Sequence, residues 1–83
     1  MNLTLLLLAA LDRVHPHLAR EEVLALEVNA WLPRPASLTE VRRALRQFER
    51  EGWAVTARAP AGHQLWKITA AGRAALAEME LGA

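Results

Sequence analysis

The apolar positions follow a helical period as far as Gly52 and a period of two after it. Between residues 3 and 14, Leu3, Leu5, Leu6, Leu7, Leu8 and Leu11 point in nearly every direction of a helix. A helix that is apolar all round must be covered all round. A second helix is predicted over 18–32, where Val23, Leu24, Leu26, Val28, Ala30 and Trp31 form a wide apolar surface. In the third, over 37–51, about 100° per residue places Leu38, Val41, Ala44, Leu45 and Phe48 on one arc. Thr39, Arg42, Arg43, Arg46, Gln47, Glu49 and Arg50 occupy the opposite arc. Beyond Gly52, Trp53, Val55, Ala57 and Ala59 alternate with Ala54, Thr56 and Arg58, and Gln64, Trp66 and Ile68 alternate with His63, Leu65 and Lys67. That alternation predicts a β-hairpin over 53–68. A last helix is predicted over 70–81, with Gly72, Leu76 and Met79 spaced to pack back on the body.

Local chemistry supplies the boundaries. Asn2 or Thr4 suits the start of the first helix, and Pro16, between His15 and His17, ends it in a loop. Pro33 and Pro35 stop the second helix. Ser37 and Glu40 form an S-x-x-E capping box ahead of the third, and Gly52 offers the left-handed residue that ends it. Pro60 suits the first central position of a type I turn, with Gly62 at its end, and Thr69 caps the last helix. The expected class is mainly α with a small β-hairpin (α+β). Helix, turn and capped basic helix follow in helix-turn-helix order.

At 83 residues the chain reads as one domain over 1–83. A domain of this size buries only about 60% of its unfolded surface. It can cover one side of the leucine-rich first helix, which leads us to expect a homodimer through Leu3, Leu5, Leu7, Leu8 and Leu11. The apolar run from Leu5 to Leu11 is too short for a membrane span, which takes about 20 residues, and has neither a preceding basic residue nor a small-x-small cleavage pattern. A cytoplasmic protein is expected. There is no cysteine, and His15, His17 and His63 lack the further ligands of a metal site, so neither metal nor cofactor is expected.

Ten Lys plus Arg against nine Asp plus Glu leave a formal net charge of +1, so any affinity for nucleic acid must come from where the charges sit. Arg42, Arg46 and Arg50 form an i, i+4, i+8 row with Arg43 beside it. Arginine is shaped to fork onto phosphate oxygens or a guanine edge. The same face reads equally as a solvated one, carrying helical pairs with Glu40, Glu49 and Glu51. Trp31, Trp53 and Trp66 each fall on the apolar side of their element, which favours core packing over stacking on bases.

Two stretches resemble a known family. Leu65 to Leu76, LWKITAAGRAAL, is similar to the aromatic-x-[LI]-T-x-x-G-R-x-x-L pattern of MarR-like and PadR-like transcription regulators. Val41 to Val55 is similar to the L-x-x-L-E-x-x-G-L-V that ends their recognition helix. The resemblance covers about Ser37 to Leu81; the chain lacks the long flanking helices through which MarR-like proteins dimerise. It implies a winged helix-turn-helix, in the order helix, helix, helix, strand, strand, helix, that binds double-stranded DNA. Arg42, Arg43, Arg46 and Gln47 would then face the major groove, with Thr39 and Arg50 on the backbone. The hairpin would be the wing, touching DNA through Arg58, His63 and Lys67. The alternative is a winged-helix protein-protein module whose arginines take an acidic partner. No nucleophile with a base and no glycine-rich phosphate loop appears, so an enzyme is not expected, nor is a small-molecule effector.

Overall fold

The computed structural model describes residues 2–82. The elements are α1 (Leu3–Val14), β1 (Ala19–Arg20), α2 (Glu21–Asn29), α3 (Leu38–Glu51), β2 (Ala54–Arg58), β3 (Gln64–Ile68) and α4 (Ala70–Gly82). The Asn2 side chain accepts from the Leu5 amide at 2.8 Å and caps α1. Leu6, Leu7, Leu8, Ala10 and Leu11 are then buried, because α1 is surrounded by α2, α3, α4 and β3. Covering each such leucine stabilises the fold by about 1.5–3 kcal/mol. This corrects the expected contact with a second copy: Leu7, Leu8 and Leu11 are fully enclosed by their own chain, and only Leu3 and Leu5 keep part of their surface in water.

The second helix is shorter than its apolar pattern implies. Ala19 and Arg20 are extended and pair antiparallel with Trp66 and Leu65 of β3, so the predicted hairpin is part of a three-stranded sheet ordered β1-β3-β2. Helix α2 ends at Asn29, whose side chain donates to the Ala36 carbonyl at 3.1 Å and accepts from the Ala36 amide at 2.8 Å. That pair of hydrogen bonds closes the turn of the helix-turn-helix. Leu24 and Val28 are buried, whereas Val23, Leu26 and Trp31 stand in water; Trp31 is 64% exposed, contrary to its expected core position.

The third helix starts and ends where its chemistry dictates. Ser37 Oγ accepts from the Glu40 amide at 3.1 Å, Glu40 Oε1 accepts from the Ser37 amide at 3.0 Å, and Gly52 closes the helix at φ +77°. Val41, Leu45 and Phe48 are buried beneath it.

In β2 the alternation holds but its faces are reversed. Ala54 is buried and Val55 is half exposed, because Ala54 pairs with buried Ile68 and Thr56 with buried Trp66. Val55 pairs with Lys67 and Ala57 with Leu65 on the opposite face. At the tip, the Gly62 amide donates to the Ala59 carbonyl and the Ala59 amide to the His63 carbonyl, both at 2.8 Å. Pro60, Ala61 and left-handed Gly62 thus make a three-residue loop of type I turn plus bulge.

Thr69 joins α4 to the rest. Its hydroxyl donates to the Gly52 carbonyl at 2.6 Å and accepts from the Gly72 amide at 3.0 Å, and its amide donates to the Trp53 carbonyl at 2.9 Å. Arg73 reaches Asp12 of α1 at 2.9 Å. Among the described residues, no helix is long and apolar enough to cross a membrane.

Candidate nucleic-acid interface

The capped helix α3 shows one face to the core and the other to water. Thr39, Arg42, Arg43, Arg46, Gln47 and Arg50 all stand on the exposed face. Their local partners are weak and replaceable: Arg46 Nη1 donates to Glu49 at 3.0 Å, Arg50 Nη2 to Gln47 at 2.7 Å, and Gln47 to Glu51 at 3.0 Å. Exposed pairs of this kind contribute about 0–1 kcal/mol and yield to a phosphate. Arg43 lies near Glu40, whose carboxyl is held below its ordinary range. The largest causes are the hydrogen bonds from the Ser37 backbone and side chain, followed by the charge of Arg43.

Arg42 is held differently. Its Nε donates to Glu21 Oε1 at 2.8 Å, and Glu21, at the first turn of α2, is buried. The second oxygen of Glu21 accepts from the indole Nε1 of fully buried Trp66 at 3.1 Å. The guanidinium of Arg46 lies 5.3 Å from the centroid of the Trp66 ring, within cation–π range. One carboxylate and one indole therefore tie α2, the middle strand and two arginines of α3 together. Glu21 belongs to no motif and no apolar period of the sequence. The available signal was the buried tryptophan, whose N–H needs an acceptor.

Of the candidate wing residues, His63 lines a groove with Glu21, Glu22, Arg42, Arg46, Gly62 and Gln64. Arg58 is exposed, paired with Gln64 in the register that also carries Trp66, so it shares the sheet face turned towards α3. Lys67 does not join them: it pairs with Val55 on the reverse face. Among the described residues, no cluster of three His, Asp or Glu side chains is arranged to hold a metal ion.

No family model matches the sequence, and no curated protein matches it. Solved structures do. A PadR family transcription regulator from Clostridium difficile superposes with a TM-score of 0.79 at 13% identity, over 95% of this chain and 83% of that one. Lactococcus lactis ZitR superposes with a TM-score of 0.66 at 15% identity, over 98% of this chain and 51% of that one, so this chain spans about half of its length. At these identities the likeness is one of fold. The element order, the sheet and both matches agree: the chain is a winged helix-turn-helix resembling PadR-like regulators.

Proposed function

We propose that this protein binds double-stranded DNA sequence-specifically as a small dimeric transcription regulator. The observation that carries the reading is the exposed row Arg42, Arg46 and Arg50, with Arg43 alongside, on a helix whose turn and cap are both locked, with the wing on the same side. In this reading α3 enters the major groove, Arg43, Arg50 and Thr39 hold phosphates, and Arg58 and His63 follow from the wing. Lys67 has no part in it. The Clostridium difficile protein is a transcription regulator, which supports the same class. Such a regulator works in the cytoplasm, beside the DNA it controls, and this reading needs no small-molecule effector.

The dimer is proposed on a surface that keeps only Leu5 of the leucines the pattern suggests. Leu5 and Ala9 of α1 border a cavity together with Trp31, rimmed by Arg13 and Glu80. In a two-fold contact the patch meets itself, so each apolar floor is covered and opposite charges can face one another at the rim. Two reading helices would then lie about one turn of DNA apart, roughly 34 Å, on a pseudo-palindromic site.

A second reading, an acidic protein partner in place of DNA, draws on the carboxylates that already accompany Arg42 and Arg46. One titration separates the two. Fluorescence anisotropy of a labelled random duplex between about 50 and 200 mM salt should give a log-log slope of several units. The triple variant R42A/R43A/R46A should lose it. Absence of duplex binding at low salt rejects the DNA reading and leaves the protein partner.

A further inference from the structure

We infer that Arg42 reads a guanine and that Glu21 is the positioning residue that makes it do so; the inference rests on the DNA-binding reading. The Nε–H of Arg42 is occupied by Glu21, while the side chain as a whole is 53% exposed. What remains for a ligand is the outer end of the guanidinium, the two terminal amino groups. Those donors, side by side, match O6 and N7 of guanine in the major groove.

Charge separates this base contact from a phosphate contact. The groove around Arg42 carries the carboxylates of Glu21 and Glu22. An anionic phosphate drawn to Arg42 would be brought against them, whereas the guanine edge offers neutral acceptors. Glu21 cannot swing aside to make room, because its other oxygen is held by the Trp66 indole in the core. Arg46 is placed for less discrimination: its guanidinium carbon lies over the Trp66 ring and one amino group is on Glu49. Among the described residues Arg43 has no side-chain hydrogen bond of its own and is free to follow a phosphate.

The test selects bound sites from a randomised duplex library with the whole protein, R42K and E21Q, and measures each one's salt slope on random duplex. Circular dichroism verifies that E21Q and R42K are both folded, since each alters the pair with buried Glu21. The unaltered protein is expected to select a fixed guanine in each half-site. R42K should keep the salt slope and lose the guanine preference by roughly tenfold or more, the discrimination of one bidentate pair. E21Q should relax the same position and gain salt dependence as Arg42 turns to phosphate. Guanine preference that survives R42K or a folded E21Q overturns the inference while leaving DNA binding intact. Duplex binding with no fixed guanine does the same. An unaltered protein that binds no duplex overturns the underlying reading and this inference with it.

Discussion

Gly72 of α4 is pressed against the main-chain carbonyl of Trp53: a Cβ on Gly72 would collide with that oxygen and with the Ile68 side chain. The close approach lets Thr69 bond both Gly52 and Trp53 and so locks the last helix onto the end of the third. The glycine of the T-x-x-G-R pattern is therefore there for space.

G72A should destabilise the fold by about 1–3 kcal/mol or more, since the obstacle is backbone and cannot turn away. Urea unfolding followed by tryptophan fluorescence measures it. An unchanged midpoint would mean that α4 can shift outward at no cost.

The start of α3 gives a pH dependence. Glu40 has its carboxyl pKa lowered in the fold, so its contribution is fully present above its unfolded value, near 4.5, and is lost as pH falls through the lower folded value. S37A should cost about 1 kcal/mol, the loss of a helix cap. E40Q should flatten the melting-temperature profile below about pH 4.5 relative to the unaltered protein. Parallel acid profiles would exclude the capping box as the cause.

One substitution in α1 and one just beyond α2 should separate the core from the proposed dimer surface. L8A removes a fully buried side chain and should cost about 2–5 kcal/mol. W31S alters an exposed residue and should leave stability almost unchanged while shifting the mass in sedimentation from dimer towards monomer. Dimers that persist in W31S would place the interface elsewhere.

Single cations should divide by face. R43A and R58A should each reduce the salt slope of duplex binding by about one, the signature of a lost phosphate contact. K67A should leave both slope and affinity unaltered, because Lys67 lies on the reverse of the wing. A loss in K67A equal to that in R58A would refute the placement of the sheet face.

How far the fold was legible depended on whether the signal was local. The capping box at Ser37, the left-handed end at Gly52, the Pro60–Gly62 loop and the cap at Thr69 are fixed by a few adjacent residues, and each was readable. Strand β1 was not, since two residues carry no period, and its partner Trp66 lies 47 positions from Ala19. Period two fixed the alternation in β2, but side-chain size misled about which face was buried: small Ala54 faces the core and larger Val55 faces water. Leucines all round α1 suggest a surface needing a second copy, whereas α1 is the central element and its own chain covers most of it. At the candidate interface the arginine row was visible, but the link from Glu21 to Arg42 and Trp66 joins residues 21 and 45 positions apart.

That link has a mechanical consequence. Through Glu21, the middle strand of the sheet and α3 are hydrogen-bonded to one carboxylate, so swinging one against the other must break one of these bonds. Under the DNA-binding reading, a poorly fitting groove cannot be met by swinging the wing while both bonds hold. The duplex must supply the deformation, and sites whose intervening steps bend or unstack readily, such as TA and CA, hold an advantage at positions the protein never touches.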